Sequence, residues 1–387
     1  VNNQKITEEL AKAVVGYRRG LHRIPELDRD LPETRAYLMG VLGPLGCEIR
    51  DHGGAGFTAF FSCGTGGAVP ARGTIAFRAD MDALPIEEAA DGEAAALGFR
   101  SAHGGKMHAC GHDGHMAVLL GLARWIAQNR ASLERDVLLI FQASEETTGG
   151  AREICESGAL RDRGIRYVYG MHLWPGYEVG TVVCRANEFM AGTHVITAEL
   201  AGRSAHLAEY ENGLDALDAG CRFVLRVYAA ADELPKDSYH MLRFGQFLAG
   251  TANNIVAGTG YITGAARTFS DDVFALLWEK MAEIAVGIET ETGVRFSLAH
   301  SDGYPPVINP PALYEGAKRA LTAAGFVWEE LEAPLFQAED FSFYQKEAPG
   351  LYLHLGAGAG APLHTPDFSI DERALEAGLR VFQTLLA

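Results

Sequence analysis

Three short apolar runs, each delivering an acid or a histidine at its carboxyl end, constrain this chain more than any other feature. Gly73-Thr-Ile-Ala-Phe-Arg78 reads as a buried strand that runs into Asp80 and Asp82. Asp136-Val-Leu-Leu-Ile-Phe-Gln142 is a clearer strand and ends in Ala143-Ser144-Glu145-Glu146. Arg166-Tyr-Val-Tyr-Gly-Met171 ends in His172-Leu173-Trp174-Pro175. Helical patterns alternate with these strands. Apolar residues recur at helical spacing from Ile6 to Val15, Pro32 to Leu42 reads as a helix closed by Gly43, and a mostly apolar run spans Met116 to Ile126. Strands alternating with helices imply an α/β fold around a mixed, mostly parallel sheet. In such sheets the site lies beyond the carboxyl ends of the strands, which is where the acids and the histidine fall.

The texture changes at about residue 187. A strand (193–200), an amphipathic helix (213–231), two strands (241–248 and 258–267), a long helix (271–290) and a strand (294–298) follow one another. That β-α-β-β-α-β order predicts a ferredoxin-like α+β domain over residues 187–300, inserted into an α/β domain made of 1–186 and 301–387. The return passes through Tyr304-Pro305-Pro306 to a helix (312–324), a strand (351–355) and a closing helix from Asp371. Length supports two domains, since 387 residues exceed the ~100–200 of an ordinary one. The formal net charge of −17, with no block of Lys or Arg, argues against nucleic acid and anionic membrane as partners. No apolar run approaches the ~20 residues that cross a bilayer. Val1-Asn2-Asn3-Gln4-Lys5 lacks the basic-then-apolar order of a secretory leader, and six scattered cysteines suit a reducing compartment. A cytoplasmic protein is the expectation.

The densest chemistry lies in Met107-His108-Ala109-Cys110-Gly111-His112-Asp113-Gly114-His115, just ahead of the apolar run. Thiolate and imidazole two residues apart, on an irregular segment entering a helix, can turn toward one point and bind zinc or a neighbouring transition metal. The presumed strand ends and their loops supply Asp80, Asp82, Glu145, Glu146, His172 and His364. Cys110, His112, Glu146, His172 and His364 are enough to fill the first shells of two divalent ions sharing a bridging group. Two such ions ~3.5–4 Å apart polarise a carbonyl and lower the pKa of a bound water. Hydrolysis also needs a base, and in an adjacent pair such as Glu145-Glu146 one carboxylate can bind metal while the other moves protons. The pair itself does not say which does which. His103, His108 and His115 are expected to support or pack around the cluster rather than ligate.

Met107–His115 resembles the signature of the aminoacylase/carboxypeptidase-type metallohydrolases, in the branch of hippurate hydrolases, indole-acetyl-amino-acid hydrolases and N-acetyldiaminopimelate deacetylases. Arg78-Ala-Asp-Met-Asp-Ala-Leu-Pro85, Glu145-Glu146, Met171-His172, Glu339-Asp340-Phe341 and His364 are similar to further landmarks of that family, in the same order. The resemblance implies two divalent ions per chain, Mn²⁺ or Zn²⁺ with Ni²⁺ or Co²⁺ as alternatives, held by Cys110, His112, Glu146, His172 and His364. It implies Glu145 as general base, Asp82 as the acid that orients a ligand, and a homodimer or higher homo-oligomer formed partly through the inserted domain. In that domain Gly202-Arg-Ser-Ala-His206 keeps the histidine implied to stabilise the oxyanion, while Glu211 replaces a second histidine. Asn254 and Arg267 match implied contacts to a substrate carboxylate. The domain would act as a lid that closes over substrate. The expected activity is amide hydrolysis of small N-acyl amino acids. The alternatives are a dipeptidase or aminoacyl carboxypeptidase of the same fold, and a non-catalytic protein that uses the cleft as a receptor. Cys110 favours the acyl-amino-acid branch, because related dipeptidases commonly place an aspartate there.

Overall fold

The computed structural model describes residues 6–63 and 73–387. Val1–Lys5, on which the reading of a missing leader rests, lie outside the described residues. The chain divides into two compact units, one of residues up to Phe189 with Ile308–Ala333 and Asp340–Ala387, the other of Met190–Val307 with Pro334–Glu339. No pattern in the sequence announces that 334–339 belongs with the second unit.

The first unit is built on strands β1 (Glu48–Asp51), β2 (Gly56–Phe61), β3 (Thr74–Asp80), β4 (Asp136–Gln142), β5 (Ile165–Trp174) and β6 (Val182–Cys184). The second contributes β7 (Gly192–Ala201), β8 (His240–Ala249), β9 (Thr259–Thr268) and β10 (Arg295–His300), after which β11 (Trp328–Glu330) and β12 (Gly350–Gly356) complete the first. The longer helices are α1 (Glu8–His22), α2 (Pro32–Leu42), α3 (His112–Asn129), α4 (Ala216–Asp232), α5 (Asp271–Thr292), α6 (Pro311–Ala323) and α7 (Arg373–Leu386).

The large sheet has eight strands in the order β1-β2-β4-β3-β5-β12-β6-β11. Its four middle strands, β4, β3, β5 and β12, are mutually parallel, and antiparallel pairs flank them. The sheet is mixed because β2, β6 and β11 run against the centre. Every residue of β3, β4 and β12 is buried, as expected of strands covered on both faces. Register aligns the carboxyl ends: Asp80 pairs with Gln142, and His172 with His354. Helix α3 packs on β3 and β5, with α1 and α7 against it. The close approach is made at glycines. A Cβ on Gly114 would lie 2.5 Å from Leu173, and one on Gly121 2.5 Å from Val14.

Two boundaries differ from the sequence reading. Gly43 does not close α2, because it keeps right-handed helical angles and Pro44 carries the chain through one more 3₁₀ turn to Leu45. Gly46 makes the stop, at φ 68°. Helix α3 begins at His112 rather than near Met116, with Gly111 at φ 86° bending the chain into it. Cys110 therefore sits on the turn, while His112 occupies the first helical position.

In the second unit the sheet order is β10-β7-β9-β8, every pair antiparallel, which is the ferredoxin-like arrangement. Its helices start and stop on the expected groups. Asp215 caps α4 by accepting from the Leu217 amide, Ser270 caps α5 through Asp272, and Gly293 at φ 76° ends α5. No helix among the described residues is long and apolar enough to cross a membrane.

Candidate metal centre

The carboxyl ends of β4 and β5, the turn into α3 and the loop before α7 bring the five candidate ligands of the first unit together. Cys110 Sγ lies 3.3 Å from His172 Nε2 and 3.3 Å from His364 Nε2. Glu146 Oε1 lies 3.2 Å from His364 Nε2 and 3.8 Å from His112 Nε2. The ligand atoms fall into two triads that share the thiol, Cys110–His112–His172 and Cys110–Glu146–His364, each within a 4.8 Å span. The first triad is fully buried, whereas the second reaches the surface at His364, whose side chain is 50% exposed. Glu145 forms a further group with His112 and Glu146 at the same span, so its carboxylate sits beside the triads.

Backbone partners settle how the rings present themselves. His112 Nδ1 lies 2.8 Å from the carbonyl oxygen of Asp82, and His172 Nδ1 lies 2.9 Å from that of Leu173. A carbonyl only accepts, so each Nδ1 carries the proton and each Nε2 keeps a lone pair aimed at the centre. His112 Nε2 is buried with no hydrogen-bond partner. A buried acceptor left without a donor is costly, and a cation between the shared thiol and the two imidazoles would satisfy it. The donor set of sulfur, three imidazoles and a carboxylate suits a borderline transition metal better than Mg²⁺ or Ca²⁺. The residues present therefore fit two ions with a shared thiolate.

Electrostatics favour the ligating form at His172, whereas neighbouring carboxylates raise His112, against burial, and His364. Burial, with the Glu146 and Glu145 carboxylates close by, pushes the Cys110 thiol well above its ordinary range, so a nearby cation is what would hold a thiolate there. Burial also drives His172 toward its neutral, ligating form, and the neighbouring His115 and His354 add to this. His364 is raised by its contact with Glu146. Glu146 is disfavoured as an anion by burial, but His364 and His112 outweigh that and hold it low.

The Glu145-Glu146 loop is clamped from two sides. The Asp82 carboxylate accepts from the Glu145 amide at Oδ1 and the Glu146 amide at Oδ2, both at 3.0 Å. Burial pushes Asp82 up to about 6, against the pull of His112 and the two amides. Asp82 thus grips the loop with its side chain and His112 with its main chain. On the other side the Ser144 hydroxyl donates to Asp28 Oδ1 at 2.5 Å, and that same oxygen accepts from the Thr147 hydroxyl at 2.6 Å. Ser144 is held at φ 63°. Neither Asp28 nor the role of Ser144 is visible in the sequence pattern.

Beneath the ligands runs a buried polar chain that sequence reasoning also missed. Arg78 donates to Asp80 at 2.7 Å, to Asp340 at 2.9 Å and to Gln142 at 3.0 Å, and Gln142 Nε2 donates to both oxygens of Asp340. The available signal was an arginine in the middle of an apolar strand, which must be paired to be buried. In the second unit, His206 and Asn254 are neighbours, because the Leu207 amide donates to the Asn254 carbonyl and His206 bridges to Ile255. Arg267 lies near the far end of β9, pairing with Met241 and Thr193. The strand that separates it from the 254–255 loop is ~25–30 Å long. Within one copy of this unit the three candidates do not converge.

Residues 76–387 match the model of Peptidase family M20/M25/M40. An uncharacterized hydrolase of Staphylococcus epidermidis is 33% identical over 380 residues, covering 96% of both chains. A solved chain from methicillin-resistant Staphylococcus aureus superposes with a TM-score of 0.90 at 29% identity, covering 98% of both. The YXEP protein of Bacillus subtilis, a dinuclear metal-binding peptidase of the M20 family, superposes with a TM-score of 0.84 at 28% identity, again covering 98% of both. The chain belongs to the M20 family of metallohydrolases.

Proposed function

We propose that this protein is a metal-dependent amidohydrolase that splits the acyl group from small N-acyl amino acids. One observation carries the reading: two ligand triads share Cys110, and a separate carboxylate, Glu145, stands beside them. Cys110, His112 and His172 would hold one ion, and Cys110, Glu146 and His364 the other. When bound, such a pair supplies Lewis acidity at the scissile carbonyl and an acidified water. The chain's own residues do the rest. Asp82 holds the amides of Glu145 and Glu146, so the two side chains leave one rigid turn in different roles. Glu146 is engaged with His364 and His112, and Glu145 would take a proton from water and return it to the leaving nitrogen. The buried site limits competing water on the inner side.

A thiol in the shared position, rather than a carboxylate, supports the acyl-amino-acid branch over a dipeptidase. Assay of protein supplied with Mn²⁺ or Zn²⁺ against acetyl and benzoyl amino acids beside unblocked dipeptides tests this. Hydrolysis of the acyl substrates with little action on dipeptides is the expected result. Dipeptide cleavage alone would assign the protein to the peptidase side of the family. Binding without turnover of any of them would make it a receptor.

A further inference from the structure

His115 follows the candidate ligand His112 by three residues, so both rings project from one face of α3, 5.5 Å apart. Its own nitrogens are both used. The Leu173 amide donates to His115 Nε2 at 2.9 Å, and His115 Nδ1 lies 2.7 Å from Asp80 Oδ1. An amide N–H only donates, so Nε2 must accept and Nδ1 must carry the proton given to Asp80. The other oxygen of Asp80 is held by Arg78 at 2.7 Å, and Arg78 is held by Asp340. Although Asp80, His112 and His115 cluster as metal ligands do, His115 has no lone pair left and Asp80 is engaged on both oxygens.

The position of Leu173 gives this contact its meaning. Pairing of β3 with β5 stops at Arg78 opposite Gly170, so the strand beyond it loses that neighbour. His115 takes the Leu173 N–H in place of a ladder partner. The carbonyl of the same residue accepts from His172 Nδ1 at 2.9 Å. The His115 ring also stands edge-on to the His172 ring, with centroids 4.6 Å apart and planes at 73°.

We propose that His115, fixed in one tautomer by Asp80 and Arg78, is a positioning residue that grips Leu173 and so sets the ring of His172 in the inner triad. The proposal rests on the metal-centre reading. Outer partners of ligating histidines typically control ~10–100-fold of metal affinity. His115 would act one step further out, through the backbone that orients the ligand rather than on the ligand ring.

Calorimetric titration of chelated protein with Zn²⁺ tests it on the wild type and on His115→Leu, His115→Asn and His115→Gln. His115→Leu should weaken one of the two binding events by ~10–100-fold and leave the other near wild type. His115→Gln reaches the Nε2 position and can still accept from Leu173, so it should recover most of that loss, whereas His115→Asn reaches only Asp80 and should not. Unchanged affinities in His115→Leu would overturn the proposal while leaving the metal centre intact. A wild type that takes up no Zn²⁺ would overturn both. A measurement on the wild type alone covers the case of a variant that fails to fold. In ¹⁵N-histidine spectra of the ¹¹³Cd-loaded protein, His112, His172 and His364 should couple to cadmium and His115 should not. Coupling at His115 Nε2 would make it a ligand and end the positioning role.

Discussion

Glu145 and Glu146 are adjacent in sequence and identical in chemistry, and only their surroundings separate them. Glu146 touches His364 and approaches His112. Replacing Glu145 with glutamine leaves all five candidate ligands in place. Metal content should stay near wild type while kcat falls by at least ~10²–10⁴-fold, the usual contribution of general acid–base catalysis. Glu146→Gln should lose metal together with rate. Metal analysis beside kcat for both variants checks the assignment, and the opposite pattern would mean that the two roles are exchanged. Asp82 offers a separate test, because both of its oxygens accept from the loop. Asn has a single acceptor, so Asp82→Asn removes one of these part-buried hydrogen bonds and should cost about 0.5–1.5 kcal/mol in urea unfolding. An unchanged unfolding midpoint would show that the clamp contributes nothing to stability.

At the scale of elements, β3 carries a buried arginine between two buried aspartates, Asp80 and Asp340. Arg78→Met removes the cationic partner that both share and should destabilise the first unit by about 3–5 kcal/mol, as expected when a buried pair loses one member. Where α1 crosses α3, Gly121→Val places new methyl groups where Val14 and Leu379 already stand. That overpacking should cost about 1–3 kcal/mol, against a control such as Gly16→Ala, where a Cβ meets nothing. Denaturant unfolding of the three variants measures both effects. The elements themselves were legible because their apolar runs have the right period and length, as in β4 and α5. The short strands β1, β6 and β11 were not, since three or four residues carry too little pattern to declare a period. The Cys110–His112 turn was legible as a metal motif, but the start of α3 was not. A glycine at φ 86° sets that start, and the sequence shows a glycine without its angle. Asp80 was legible as a strand-end acid and His115 as a supporting histidine, but the contacts of His115 were not, because its partners are a backbone amide and a residue 35 positions away, and spacing alone does not reveal either.

For the whole molecule, one α/β unit carries every candidate ligand and a ferredoxin-like unit interrupts its chain, so folding must assemble the centre from segments as distant as Cys110 and His364. Metal that binds only the assembled state should stabilise it by linkage, about 2.7 kcal/mol at a free concentration one hundred times Kd. Chelation should therefore lower Tm as well as activity, and thermal melts with and without Zn²⁺ check this. The most direct test of the account is stoichiometric. Chelated protein is titrated with Zn²⁺ or Mn²⁺ while bound metal and hydrolysis of an N-acyl amino acid are followed together. Two ions per chain at saturation, no activity before metal is added, and loss of that stoichiometry in Cys110→Ala, which removes the donor common to both triads, are expected. Full hydrolysis by metal-free protein, or a wild type that binds no transition metal, would contradict that expectation.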